Sequence, residues 1–197
     1  MQVGLGSSTS SINVVHTPGS SMSTGVGTDL TVSGDGFFVV GSNEDPRLTR
    51  SGSFTVDDEG ILKTTQGLSV LGSDGEPIEI DKNDRSSFII NSAGEVRVPG
   101  RAGDPIATLS IFSVDNPSSL RKTGGSMYGV PADFTFNDNN TAVGSGVSIG
   151  SGQLEMSNVD LTEEFTEMII AQRGFQANSR TITTSDEILQ EVVNLKR

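Results

Sequence analysis

Apolar residues in the first three quarters of the chain come in short groups separated by glycine- and aspartate-rich turns. Four consecutive apolar residues, 37–40, follow Gly34-Asp35-Gly36 directly, and strands at 30–32 and 37–40 are expected to form a hairpin around this turn. Similar groups flank turns at 57–60, 74–75 and 93–94. The pattern predicts a run of hairpins, and therefore an antiparallel sheet or barrel.

The strand at 37–40 is apolar at every position. Successive side chains of a strand point to opposite faces, so Phe37 and Val39 would lie on one face and Phe38 and Val40 on the other. We therefore expect this strand to be covered on both sides.

Further along the chain, the pattern predicts one strand over 106–114, which Asn116-Pro117 ends, and a short helical turn at 118–121. Residues 124–150 have a loop-like composition, apart from a short alternating strand at 134–136. Near the N-terminus, residues 12–15 favour another short strand, and the glycine-rich run 144–152 is expected to be extended or flexible.

The last segment has a helical period. Asp160 has the position of an N-cap, with Glu163 three residues later as in a capping box. Apolar residues then recur every seven positions, and a second series four residues after them is mostly polar. The second series also contains Asp186, which makes this part of the pattern polar. From the two series we take a predicted assembly surface, which we call the seam: Leu161, Phe165, Met168, Gln172, Phe175, Ser179, Ile182, Leu189 and Val193.

A helix of some 35 residues would be about 50 Å long. Such a rod needs other helices to cover its seam, and the pattern predicts no second helix in this chain. The predicted fold class is mainly β with a long C-terminal α-helix: a hairpin-rich antiparallel β domain and a terminal coiled-coil helix. The predicted division is an extended arm at 1–27, a β-rich domain at 28–150, a linker at 151–160 and the helix at 161–197.

Composition narrows the function classes. The formal net charge is −12, which disfavours binding to phosphate backbones and gives no attraction to anionic membranes. The chain has no cysteine, so disulfides and thiolate metal sites are excluded. No apolar run approaches the length of a membrane span, and the N-terminus lacks the basic and apolar regions of a secretory signal peptide. No membrane insertion is expected.

Candidate catalytic motifs are weak. Residues 146–150 match the G-x-S-x-G nucleophile pattern around Ser148, but the only histidine, His16, precedes the serine. Ser119 and Lys122 have the S-x-x-K spacing without companion motifs. The acidic turns lack the spacing of a calcium loop. The sequence therefore predicts no catalytic residue, metal site or cofactor, and we expect a protein that is not an enzyme.

Several segments together resemble the bacterial flagellar rod and hook family, most of all the hook proteins. They lie at both ends of the chain: 4–7 (GLGS), 15–17 (VHT), 28–30 (TDL), 33–38 (SGDGFF), 50–54 (RSGSF), 157–161 (SNVDL), 171–179 (AQRGFQANS) and 194–197 (NLKR). The middle, about residues 81–145, matches less distinctly.

The resemblance implies a structural subunit of the flagellar hook that self-assembles into a tubular helical filament. Terminal helices of the family form an inner coiled-coil tube with β-rich domains outside it. Its implied partners are copies of itself, the neighbouring rod and hook-junction proteins and the hook cap. Its implied location is the extracellular hook and basal body, after export without a cleaved signal peptide.

Two alternatives accompany the hook hypothesis. The first is a distal rod subunit with the same fold and a rigid shaft role, and the second is a secreted hydrolase that uses Ser148 and His16. The family's N-terminal helix has no counterpart in this sequence. We expect that the sequence is shortened there, because the seam of the C-terminal helix requires a partner.

Overall fold

The computed structural model describes residues 8, 14–82, 84–85, 87–100, 104–114, 116–131, 136 and 146–195. The chain divides into two compact units, residues 1–157 and residues 158–197. The described part of the first unit consists mostly of antiparallel β-strands, and the second contains one long α-helix. The predicted fold class is therefore confirmed.

The strands of the first unit, called the body below, are short and are connected by turns. They are β1 (Ser21–Ser23), β2 (Leu30–Ser33), β3 (Gly36–Gly41), β4 (Pro46–Thr49), β5 (Phe54–Val56), β6 (Leu62–Thr64), β7 (Ile89–Ile90), β8 (Glu95–Arg97), β9 (Ala107–Thr108), β10 (Ile111–Ser113), β11 (Lys122–Gly124), β12 (Met127–Gly129), β13 (Ser148–Ser151) and β14 (Gln153–Glu155). A 3₁₀ turn at Pro117–Ser119 lies between β10 and β11, close to the predicted helical turn.

A five-stranded sheet with the order β10-β3-β4-β12-β11 forms the centre of the body. Its strand β3 is buried along its length, as the apolar run predicts. Phe38 and Val40 pack into one hydrophobic cluster, while Phe37 and Val39 pack into a second one. Side chains of β3 therefore fill a core on each face of the sheet, which confirms the expectation of a strand covered on both sides.

Several predicted turns connect the expected partners. The turn at 57–60 joins the antiparallel pair β5 and β6, and the turn at 93–94 joins β7 and β8. Around the turn at 74–75, Leu71 forms a bridge with Pro77.

The turn at 34–36 differs from its prediction. The chain does turn there, but β2 pairs with β13 whereas β3 pairs with β4 and β10. The predicted hairpin between these strands is therefore wrong. Within this turn the residue with a positive φ is Gly34, at 103°.

Two further expectations are corrected. The predicted single strand at 106–114 is two strands in different sheets, since β9 pairs with β8 and β10 pairs with β3. The loop-like stretch 124–150 contains β12, which belongs to the central sheet, and most of β13. Residues 134 and 135 of the predicted strand at 134–136, and residues 12 and 13 of the one at 12–15, lie outside the described residues.

Strands β1 and β14 form a two-stranded antiparallel ribbon, in which Met22 lies opposite Leu154. The Met156 amide extends the ribbon by donating a hydrogen bond of 2.8 Å to the Ser20 carbonyl. One strand of the ribbon comes from the predicted arm at 1–27 and the other from the predicted linker at 151–160. The boundaries of these segments stay a prediction.

The second unit is helix α1 (Leu161–Leu195), which has 35 residues. Asp160 caps it as predicted, because its Oδ1 accepts hydrogen bonds from the amides of Thr162 (2.8 Å) and Glu163 (3.4 Å). These backbone donors hold the pKa of the Asp160 carboxyl below its usual value.

Candidate assembly surface

All nine residues of the predicted seam lie on α1, and all of them are exposed. Phe175 is 78% exposed and Ile182 is 71% exposed. Each residue turns the helix by about 100°, so the nine side chains occupy an arc of about 120°. The structure brings the predicted residues onto one continuous face, whose apolar side chains have no cover within the described residues.

The seam rotates slowly around α1. A straight helix with a seven-residue repeat drifts by about 20° per repeat, which a partner helix follows by supercoiling to the left. The drift adds up to about 80° between Leu161 and Leu189. The seam therefore follows along α1 the seven-residue repeat that is typical of coiled-coil helices.

Other exposed apolar side chains of α1 lie outside the predicted seam. They are Ile169, Ile170, Ile188, Val192 and Leu195. Ile170 and Ile188 are five full helical turns apart and lie on the side opposite the seam. The heptad argument missed them because both of the series that it followed lie on the same face of the helix. Their signal in the sequence is the 18-residue spacing, and they give α1 apolar residues on two opposite faces.

The middle of α1 is rich in residues that favour helices weakly. Gly174 has open space where a Cβ would lie, and hydroxyl side chains follow it. The hydroxyls of Thr181, Thr184 and Ser185 each donate to a carbonyl four residues earlier, at 2.8–3.0 Å. Such residues contribute little intrinsic stability to an isolated helix, so packing against other helices is the stabilising force expected for α1.

In the body, Arg50 from the RSGSF segment connects several elements. Its Nε donates to Glu155 Oε2 at 2.8 Å, and its Nη atoms donate to the carbonyls of Gly36 and Val32, each at 3.2 Å. The other oxygen of Glu155 accepts the Gly19 amide at 3.1 Å. This network, called the Arg50 clamp below, ties the β1–β14 ribbon to β2 and β3.

The candidate catalytic serines do not have catalytic surroundings. Ser148 begins β13, where it pairs with Ser33, and the next element is β14 rather than the helix that a nucleophile elbow requires. The Ser119 hydroxyl donates to the Asn116 carbonyl at 2.8 Å. His16 packs its ring against Phe37 and Tyr128, with centroids 6.3 and 5.5 Å apart. The hydrolase hypothesis therefore lacks its structural basis.

Within the described part of the chain, no three histidine, aspartate or glutamate side chains are grouped closely enough to hold a metal ion. No described helix combines the length and apolar character of a membrane-spanning segment. The candidate functional surface is therefore the exposed seam of α1.

Comparison with known proteins identifies the family. Residues 31–98 match a family described as "Flagellar hook protein FlgE/F/G D1 domain", and residues 151–195 match "Flagellar basal body rod FlgEFG protein C-terminal". The first match begins at the second residue of β2 and includes β3 to β8 and Arg50. The second covers β13's last residue, β14 and α1.

Individual relatives align over most of the chain. The flagellar basal-body rod protein FlgG of Bacillus subtilis is 44% identical over all of this chain and 75% of its own length. FlgG of Borreliella burgdorferi is 34% identical over the same shares. The flagellar hook protein FlgE of Borreliella burgdorferi is 46% identical, but over 46% of this chain and 21% of its own length. The chain belongs to the flagellar rod and hook family of structural proteins.

Proposed function

We propose that this protein is a structural subunit of the flagellar rod and that it assembles through α1. The observation that carries the proposal is the exposed apolar seam along a 35-residue helix. Exposed apolar area of this extent is typical of surfaces that bind another protein. Because the seam has the seven-residue repeat of a coiled coil, the partner that fits it is another helix.

The rod is favoured over the hook by the extent of the matches. Two rod proteins align with the whole chain and with three quarters of their own length. The hook relative is similarly identical over a shorter segment, so the hook remains the second candidate. This reverses the preference for the hook in the sequence analysis. That preference came from short segments such as 171–179 and 194–197, which are too few to separate two branches of one family.

Complementation separates the two roles. The complete gene is returned to strains of its own bacterium that lack either the rod gene or the hook gene, and basal bodies are purified and imaged. A rod subunit restores complete rods in the first strain and leaves the second strain without hooks. Hooks restored in the second strain alone would contradict the rod assignment and support the hook.

For the architecture, we propose that 161–197 contributes to an inner helical tube and that 28–150 forms an outer β-rich domain. Residues 1–27 and 151–160 would then be the two connections between them. The opposed apolar faces of α1 support an inner position, since a helix with helical neighbours on two sides buries both faces.

The proposed partners are further copies of this protein, the neighbouring rod and hook-junction proteins and the hook cap. The proposed location is the basal body outside the cytoplasm, reached by export without a cleaved signal peptide. No catalytic function is proposed, because the family is structural and the candidate serines have other surroundings.

Substitutions in the seam test the role of α1. The double variant Phe175→Asp and Ile182→Asp places two charges on the face of α1 that would be buried in the assembly. It should abolish incorporation of the protein into basal bodies, while the melting transition of its β-rich body stays unchanged. The matched control, Gln176→Asp with Thr183→Asp, adds two charges at the same heights but about 100° around the helix. Normal assembly of the seam variant would contradict the proposed role.

A further inference from the structure

The C-terminal third of α1 contains a second helix-start signal. Thr184-Ser185-Asp186-Glu187 has the T-x-x-E pattern of a capping box, and the apolar residues Ile188 and Leu189 follow it directly. The two acidic residues of this signal would lie in the first turn of a helix that starts at 185, where the free backbone amides and the helix dipole favour negative charge. The sequence therefore holds the start of a helix inside an existing helix.

The same spacing caps the beginning of α1. Asp160 is followed by Glu163, and its Oδ1 accepts the amides of Thr162 and Glu163. At the internal signal α1 continues without interruption, and the Thr184 hydroxyl donates to the Arg180 carbonyl at 2.8 Å. Thr184 therefore has two alternative bonds. It can donate to a carbonyl in a continuous helix, or it can accept the amide three residues later as the cap of a new helix.

The turn before the signal contributes little to helix stability. The Thr183 hydroxyl also donates to the Arg180 carbonyl, at 2.9 Å, and the Ser185 hydroxyl donates to the Thr181 carbonyl at 2.8 Å. Hydroxyl side chains that bond to the backbone in this way weaken and bend a helix. The positions three and four residues after Arg180 hold Thr183 and Thr184, so the arginine forms no helical ion pair across the signal.

A charge interrupts the seam at the same place. Asp186 lies four residues after Ile182 and three before Leu189, so in a continuous helix its carboxylate lies between two apolar seam residues. A partner helix that covered the seam would remove water from this carboxylate, which is unfavourable. In the first turn of a separate helix, the backbone amides would stabilise the same charge. Its hydrogen bond from the Gln190 side chain, at 3.3 Å, lies entirely after the signal.

We propose that α1 contains a break point at Thr184, where it divides into two helices, 161–183 and 185–195, when the subunit is packed among its neighbours. In the divided state the Thr184 hydroxyl accepts the Glu187 amide instead of donating to a carbonyl one turn earlier. Residues 185–195 can then change direction without unfolding, and the seam positions after the break can face a different neighbour from those before it. The break is a property of α1 itself and goes beyond the rod assignment.

Proline substitutions one turn apart test the break in the complete protein, expressed in place of the natural copy. Proline fits the first position of a helix but disrupts a helix interior. Ser185→Pro lies at the first position after the break, so the number of copies per purified basal body should stay within about twofold of the wild type. The matched control is Thr181→Pro, since both hydroxyls donate to a carbonyl four residues earlier. It should reduce that number at least about tenfold.

The cap is tested in the Ser185→Pro protein. Adding Thr184→Ala removes the N-cap and should reduce incorporation several-fold, whereas adding Thr184→Asn replaces it with another good N-cap and should keep incorporation. Equal losses for the two proline variants, or equal tolerance of both, would overturn the break. Equal incorporation of the alanine and asparagine variants would overturn the role of Thr184 as its cap.

Hydrogen exchange locates the break in wild-type basal bodies. The amides of residues 185 and 186 have no acceptor within the helix in the divided state, so they should exchange at least about tenfold faster than those of 176–182 and of 189–193. Protection that falls steadily from 182 to 195 would indicate fraying of one continuous helix and would overturn the proposal. All variants are compared in the strain that the wild-type gene restores, so failure of the break leaves the rod assignment standing.

Discussion

Replacing Arg50 with methionine should destabilise the body through loss of the Arg50 clamp. The guanidinium donates to one carboxylate and two backbone carbonyls, and the side chains of Arg50 and Glu155 are 22% and 15% exposed. A hydrogen bond to a charged group contributes about 1.5–3 kcal/mol, and breaking a fully buried pair costs about 3–5 kcal/mol. With partial exposure taken into account, we expect a loss of about 3 kcal/mol in the free energy of unfolding.

For a unit of this size, that loss lowers Tm by about 6–12 °C. Calorimetry of the body's transition measures it, with Arg47→Met as the control. Arg47 pairs with Asp45 at 2.9 Å, but their side chains are 35% and 69% exposed, so its Tm should change by no more than about 2 °C. In a double-mutant cycle with Glu155→Gln, the two substitutions should be less than additive. Equal Tm changes for the Arg50 and Arg47 variants, or strict additivity, would refute the clamp.

Three further predictions concern single positions. Gly52→Ala should prevent the body from folding, because the alanine Cβ would lie 1.7 Å from the Leu30 carbonyl oxygen. Calorimetry should then show no unfolding transition of the body, and a normal transition would contradict the prediction. Asp160→Asn should make α1 less sensitive to acid. The pKa of the Asp160 carboxyl is lowered in the folded protein, so its capping of the helix is complete near neutral pH and is lost as the pH falls through that pKa. Asparagine does not titrate and caps the helix at every pH. Circular dichroism between about pH 5 and 2 should therefore show the smaller helix loss in the variant. Gly174→Ala should stabilise α1 by about 0.5–1 kcal/mol, seen as higher helix content on heating; an unchanged or lower content would refute this.

The sequence predicts those parts of the fold that depend on local pattern. The buried run at 37–40, the turns at 57–60 and 93–94 and the cap at Asp160 all follow from residues close together in the chain. Each of these features has a short-range physical cause, either an alternation of apolar positions or a preferred turn or cap residue.

Strand partners could not be predicted in the same way. Residues 30–33 and 36–41 look like a hairpin, yet β2 pairs with β13 more than 100 positions later in the chain. The apolar pattern of 106–114 predicts one strand, because it holds no information that the two halves of this run join different sheets. The pairing partner of a strand depends on how segments that are distant in the chain pack together in the core. A short stretch of sequence does not contain this information.

The candidate surface was only partly visible in the sequence. The seven-residue repeat predicts the nine seam positions, all of which lie on α1 and are exposed, and their role in assembly stays a prediction. Ile170 and Ile188 required a view of the opposite face of the helix. Arg50 was noted within a family segment, but its role depends on Glu155, which lies 105 positions away in the chain.

The most direct test of the account is the accessibility of a seam residue before and after assembly. Ser179 is a polar seam position that is exposed in the structure, and Ser179→Cys introduces a single thiol into this cysteine-free sequence. The account predicts rapid reaction with a maleimide reagent in the free subunit, strong protection in purified basal bodies and recovered reactivity after dissociation. Equal labelling of free and assembled subunits would contradict the claim that α1 assembles through its seam.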